Sequence, residues 1–180
     1  LLIYRVLLPF RKSLFLPFYL YFHYFKDLIK FRNFGGSINF FELYPLLFDK
    51  SVNTDFDAHY TWQQIQVLEW IKESKTLKHT DIGSHLNYII ALCLITNVNF
   101  IDIRPPKLKC KNLNLIEGSI LKLPFENESI ASLSSLHVIE HIGLGRYGDE
   151  ITHNGPLKAI KEITRVLKDQ GDLYLSFPVS

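Results

Sequence analysis

A chain of 180 residues is one domain of ordinary size or a large part of one, which excludes two independent enzyme domains. Its composition, 47% hydrophobic, 14% aromatic and 21% charged, excludes global disorder and collagen-like repetition. A formal charge of +2 is too small for a nucleic-acid-binding surface, and two cysteines, Cys93 and Cys110, cannot build a disulfide framework or a four-thiolate metal site.

The positive excess gathers in residues 1–40, where Arg5, Arg11, Lys12, Lys26, Lys30 and Arg32 face only Asp27. This apolar and basic flank holds two apolar blocks broken by Arg11 and Lys12, with Pro9 and Pro17 inside them. Neither block reaches the roughly 20 residues needed to cross a bilayer. Aromatic and basic residues mix here as they do in interfacial helices, so residues 1–35 are expected either to touch a membrane surface peripherally or to pack as a helical flank. Localisation is left open between cytoplasmic and membrane-associated. The sequence begins at Leu1 and contains no methionine, so its true start is expected to lie upstream.

Residues 41–78 read as a linker and a packing helix. Trp62, Ile65, Leu68 and Ile71 recur at helical spacing, with Thr61 as a candidate cap. From residue 79 to 180 short apolar runs alternate with helical stretches, the pattern of an α/β domain with a mostly parallel sheet. Strands are predicted around Thr80–Ile82, Asn99–Ile103, Leu113–Glu117, Ile130–Leu136 and Leu173–Phe177. The spacing predicts one helix over His85–Leu94, burying Leu86, Ile89, Ile90 and Cys93, and another over Leu157–Leu167, burying Leu157, Ile160, Ile163 and Leu167. Pro156 suits the first turn of the second helix, and Gly171 is expected to end it. Cys110 reads as incidental.

In such a sheet a ligand sits beyond the carboxyl ends of the strands. "TDIGSH" places Asp81, Gly83, Ser84 and His85 after the first strand, with Gly83 allowing a tight turn and close backbone approach. Asp102 ends the second strand about 20 residues later, where a carboxylate accepts ribose hydroxyls. Gly118, Ser119 and Ile120 follow the third strand as a turn and an apolar contact suited to a purine. Beyond the fourth strand, "HVIEHIGLGRYGDE" gathers His137, Glu140, His141, Arg146, Tyr147 and Asp149. Taken literally, His137 to His141 also fits the inverted zinc-peptidase pattern H-x-x-E-H. The sheet-edge start, the glycines at 143 and 145 and the lack of a third ligand argue against it, and no metal is assigned. His137 and His141 would share a face if the segment were helical.

From about His59 to Ser180 the chain resembles class I S-adenosylmethionine-dependent methyltransferases. It is most like the type 11 group and a family described only as a domain of unknown function. The resemblance rests on "EGSILKLPFENESIASLSSLHVIEHIGLGRYGD" followed by "LKAIKEITRVLKDQGDLYLSFPV". It implies a Rossmann-like methyltransferase fold, partial here because the carboxyl-terminal strands after the fifth are missing, with S-adenosyl-L-methionine as cofactor. It implies that Asp81 and Gly83 hold the methionine part, with Ser84 and His85 beside them, that Asp102 holds ribose, and that Gly118, Ser119 and Ile120 frame adenine. Three positions depart from the family pattern: a single glycine after the first strand, serine at 119 for the usual aspartate, and Gln170 for the first glycine of a pair.

The implied reaction is direct methyl transfer to a small-molecule or glycan acceptor. His137 or His141 is the candidate base, Glu140 orients an imidazole, and Arg146, Tyr147 and Asp149 are the candidate acceptor contacts. The rival reading is a non-catalytic methyltransferase-like binding or scaffold protein. A nicotinamide oxidoreductase is disfavoured because no GxGxxG follows the first strand.

Overall fold

The computed structural model describes residues 16–48, 54 and 56–178, so the first apolar block, with Arg5, Pro9, Arg11 and Lys12, lies outside the described residues. The chain divides into two compact units, Leu1–Phe56 and Asp57–Ser180.

The first unit is built on helix α1, Leu16–Asn33, followed by a 3-10 turn at Phe40–Glu42. Pro17 falls in the first turn of α1, where its missing amide hydrogen is no loss. Gly35 adopts a φ of 90° just after the helix, a left-handed conformation that favours glycine and turns the chain out of it. Among the described residues no helix is long and apolar enough to cross a membrane.

The second unit contains α2 (Ala58–Ser74), β1 (Lys78–Ile82), α3 (Leu86–Leu92), β2 (Asn97–Asp102), β3 (Leu113–Glu117), β4 (Ile130–Leu136), α4 (Gly155–Val166) and β5 (Leu167–Ser176). The five strands form one sheet in the order β3-β2-β1-β4-β5, and every pairing is parallel. This is the Rossmann-like, doubly wound arrangement the sequence predicts. The direction of winding reverses between β1 and β4, which opens a crevice at their carboxyl ends.

Strand alternation splits the core. Ile82, Ile101 and Leu133 point to one face, where Ala159, Ile163 and Val166 of α4 cover them. Val98, Phe100 and Leu136 point to the other, under Val67 and Ile71 of α2 and Tyr88, Ile89 and Leu92 of α3. Cys93 is buried in that second cluster, and desolvation pushes its thiol up to about 11; Cys110 is exposed.

The helix faces differ from those the periodicity predicts. In α2 the buried pair is Val67 and Ile71, whereas Trp62 and Ile65 are exposed and Leu68 is half-buried. In α4 Leu157 and Ile160 are exposed; Ala159 joins Ile163 and Val166 against the sheet, and Gly155 is buried against the Ile142–Gly143 backbone, which a Cβ there would meet at 2.3 Å. In α3 Tyr88 and Leu92 replace Ile90 at the buried face. The α2 cap is Asp57, whose carboxylate accepts from the Tyr60 amide at 3.1 Å, and not Thr61.

One boundary also moves. The last helix stops at Val166, and β5 begins at Leu167, six residues before the predicted start. Its register against β4 jumps between Ile130 and Ser132, so residues 168–171 form an irregular loop within the strand. Gln170 there has a φ of 59°, a left-handed conformation that favours glycine. Gly171 belongs to this loop and does not cap the helix.

Arg165 fixes α4 to the segment that precedes β4. Its guanidinium donates to the Leu123 and Phe125 carbonyls, to Asn127 Oδ1 and to the Glu162 carboxylate, while Glu162 accepts from the Leu123 amide at 2.8 Å. The Arg165 side chain holds the Glu162 carboxyl below its usual range, and partial burial opposes this less strongly. The "LPF" and "RVLK" elements are thus two halves of one clasp.

Candidate functional site

Four strand ends converge on a cavity of about 220 Å³. Gly83 lines it after β1, Asp102 and Arg104 at the end of β2, Gly118, Ser119 and Ile120 after β3, and His137, Val138 and His141 after β4. Tyr147 and Asp149 line it from the loop beyond, and Ile82, Ile101, Ile103, Leu121 and Ile142 make the rest of the wall apolar.

Two glycines bring main chain close to this space. Gly83 has a φ of 68°, and an added Cβ would meet the Val138 side chain at 3.2 Å. Gly118 stands equally close to Ile101 Cγ2, at 3.2 Å. Side chains at either position would crowd the wall, so the backbone itself forms the cradle. Asp102 Oδ1 accepts from the Arg104 amide at 2.7 Å, and Oδ2 has no hydrogen-bond partner among the described residues. Ser119 Oγ accepts from the Leu121 amide at 3.2 Å, which tightens the turn after β3.

Asp81, Ser84 and His85 do not line the cavity. Asp81 is fully buried, and its carboxylate accepts from the Ser84 amide at 3.0 Å, from Ser84 Oγ at 2.7 Å and from Ser134 Oγ. Ser84 Oγ in turn accepts from the Leu136 amide at 2.9 Å. His79 lies beside them, hydrogen-bonded at 2.8 Å to Ser132 and at 2.8 Å to Ser134, and Tyr88 donates to Ser134. With Asp81 ionised, Ser134 must donate to it and accept from His79, which places the imidazole proton on Nε2. Burial pushes the Asp81 carboxyl up to about 6 against the lowering effect of the serine hydrogen bonds, and the Asp102 charge adds to the rise. Burial likewise lowers His79 to about 4. His85 is an exposed helix cap whose Nδ1 accepts from the Asn87 amide.

His137 is the most constrained residue of the wall. Its φ of 56° is left-handed, unusual for a side chain of this size and a form of strain often found at functional positions. Its amide donates to the Ser176 carbonyl at 2.9 Å, and Nε2 lies 2.6 Å from Gln63 Oε1. Nδ1 stands 3.3 Å from Glu140 Oε1. Both Nδ1 and Glu140 Oε2 are buried without a hydrogen bond among the described residues. The ring packs on Tyr60 at 4.0 Å and beside His59 at 5.4 Å between centroids. Ile139–His141 forms a 3-10 turn and not an α-helix, so His137 and His141 do not share a helical face. Among the described residues no group of three or more histidine, cysteine or acidic side chains is placed to hold a metal ion.

Asp149 organises the loop over the cavity. Its carboxylate accepts from the amides of Gly143 at 2.8 Å, Gly145 at 3.4 Å and Tyr147 at 3.2 Å. Partial desolvation would raise this carboxyl, but the loop amides outweigh it and the net shift is downward. Arg104 and Arg146 stack on the Tyr147 ring, 5.5 and 5.1 Å from its centroid, although Arg146 is not a lining residue. His141 approaches the edge of the same ring.

Sequence reasoning did not include His59, Tyr60 or Gln63, which α2 brings against His137. The available signal was the polar and aromatic first turn "AHYTWQ", unusual ahead of a packing helix.

A family described as Caenorhabditis protein of unknown function, DUF268, matches residues 122–180. No curated protein matches. Among solved structures the chain is similar to one in a complex of the Haloferax volcanii Trm112 methyltransferase activator with a proposed methyltransferase, at 17% identity and a TM-score of 0.48, covering 63% of this chain and 50% of the other. It is similar to a proposed S-adenosyl-L-methionine-dependent methyltransferase from Methanococcus maripaludis, at 16% identity and a TM-score of 0.45, over 66% and 57% of the two chains. It is also similar to a proposed antibiotic-pathway methyltransferase from Anabaena variabilis, at 19% identity and a TM-score of 0.45, over 62% and 44%. The chain spans about half the length of these structures.

Proposed function

We propose that the second unit binds S-adenosyl-L-methionine and transfers its methyl group to a small-molecule or glycan acceptor. The observation that carries this reading is the cavity at the switch point, lined by Gly83 after β1, Asp102 at the end of β2 and Gly118 to Ile120 after β3. The residues present suit the cofactor: a carboxylate with an unpaired oxygen for ribose hydroxyls, two glycines that bare the backbone, and an apolar Ile120 for a purine face. When bound, the cofactor supplies an electrophilic methyl group on a sulfonium.

Asp102 would hold the ribose, Ser119 and Ile120 would frame adenine, and the backbone at Gly83 would take the methionine part. His137 removes the proton of an acceptor hydroxyl or amine. With Nε2–H donated to Gln63, Nδ1 is the basic atom of the neutral ring; it is buried beside Glu140, which at 3.3 Å would stabilise the imidazolium that forms once a bound acceptor reaches it. Tyr147, flanked by Arg104 and Arg146, and His141 border the acceptor.

Calorimetric titration with S-adenosylhomocysteine tests the reading. Saturable binding by the wild-type chain, lost in Asp102→Ala and absent with NAD, is expected, and a folded wild-type chain that binds nothing would overturn it. A second reading, a methyltransferase-like binding module without turnover, draws on Asp81 and Ser84, which satisfy each other away from the cavity and leave Gly83 as the only residue of that loop lining it. Binding without methyl transfer across an acceptor screen would favour that module.

A further inference from the structure

The first unit presents a surface that its own packing does not use. Phe18, Phe22, Phe25 and Ile29 recur along α1 at spacings of four, three and four residues, which confines them to an arc of about 60°. They are 73%, 66%, 52% and 61% exposed. A helix that packs on its own domain hides such a stripe, yet here Leu20, Tyr24 and Asp27 on the opposite face and Tyr21, His23 and Leu28 on the flanks are half-buried while the stripe itself is exposed. Exposed aromatics continue past the helix at Phe34, Phe40 and Phe41. Apolar residues scattered singly need no explanation, but a contiguous aromatic stripe does.

Charge identifies what covers it. Exposed Lys26 and Lys30 border one side of the stripe with Tyr19, and Arg32 borders the other. The first acidic residue of the sequence, Asp27, lies on the half-buried side, while Arg5, Arg11 and Lys12 precede it.

We propose that α1 docks on an anionic lipid surface. The phenylalanines enter the boundary between headgroups and acyl chains, and the long stems of Lys26, Lys30 and Arg32 carry their charges back to the lipid phosphates. A second copy of the chain is the poorer occupant, because it would bring the same cations against this face with no exposed acidic residue of α1 to neutralise them. The inference stands independently of methyl transfer, since it uses no residue of the cavity.

Co-sedimentation of the full chain with phosphatidylcholine vesicles, with and without phosphatidylserine, tests it. The chain is expected to partition onto the phosphatidylserine vesicles and to be released by salt. Lys26→Gln with Lys30→Gln should weaken partitioning by roughly 30-fold. Phe22→Ser with Phe25→Ser should abolish it while leaving the circular dichroism spectrum and S-adenosylhomocysteine titration as in wild type. Failure of the wild-type chain to bind phosphatidylserine vesicles overturns the proposal, as does equal binding by both variants. A concentration-dependent dimer in light scattering, lost in the phenylalanine variant without any vesicle binding, would overturn it in favour of self-association.

Discussion

Two aspartates stand at neighbouring strand ends and do different work. Asp81 pairs in register with Phe100, so Asp102 lies two residues, about 6.6 Å, further along the same strand direction and in the same phase of the pleat. At Asp81 the sheet is still roofed by α3, and the carboxylate is sealed among Ser84, Ser134 and Tyr88. At Asp102 the roof has ended, and the same chemical group lines a cavity. One pleat repeat therefore separates a carboxylate that organises the core from one that is available to a ligand.

The largest expected effect breaks the comparison at its outer member. Asp102→Ala should weaken S-adenosylhomocysteine binding by about 100-fold or more, the worth of charge-assisted hydrogen bonds in a partly desolvated site. Asp81→Asn should leave the same titration within a few-fold of wild type, and equal losses in the two variants would show that the buried carboxylate serves the ligand as well.

The inner member is better probed through pH. The folded Asp81 carboxyl is raised to about 6 from 3.8, so its contribution to stability is present below pH 4 and is lost as pH rises through 6. His79, lowered to about 4 from 6.5, contributes above pH 6.5 and loses that contribution as pH falls through 4. Between pH 4 and 6 the two slopes oppose each other. Asp81→Asn removes one of them, and urea unfolding should show the variant gaining on the order of 3 kcal/mol relative to wild type as pH rises from 4 to 6. A constant difference across that range would mean that Asp81 titrates normally in the fold.

These two residues also show what the sequence made legible. β3 and β4 lie where the apolar runs predict, because each run is bounded by turn residues that leave no other register. The strand-end positions of Gly83, Asp102 and Ser119 follow from the alternation of strands and helices. Which strand-end side chain faces outward does not follow, because that depends on where α3 begins to cover the sheet. The buried helix faces depart from the apolar periodicity for a related reason. In α4 two of the buried positions are Gly155, against the Ile142–Gly143 backbone, and Ala159, against the sheet; their small size gives little hydrophobic signal, while the larger Leu157 and Ile160 are exposed. The placing of Gln63 and Tyr60 against His137 is not legible in the sequence, because the partners lie more than 70 residues apart.

A smaller effect sharpens the inner side. Ser134→Ala removes the hydroxyl shared by His79, Asp81 and Tyr88, leaving polar atoms of each in a buried space. A loss of about 1–3 kcal/mol is expected in urea unfolding, with a further rise in the Asp81 pKa because a hydrogen bond that lowers it is gone. An unchanged Asp81 titration, followed by the carboxyl carbon chemical shift, would show that Ser134 is not its partner.

The smallest effect separates charge from shape at the outer side. Asp102→Asn retains one acceptor oxygen, and the Arg104 amide at 2.7 Å claims it. The side-chain amide then turns its NH2 toward the position where the carboxylate offered a second acceptor, so ribose hydroxyls lose a charged partner but not all polar contact. Binding should fall about 10-fold, less than in Asp102→Ala, while Tm stays at the wild-type value because the turn at the end of β2 keeps its hydrogen bond. Wild-type affinity in this variant would mean that the cavity selects its ligand by shape, with the Asp102 charge serving only to hold the turn.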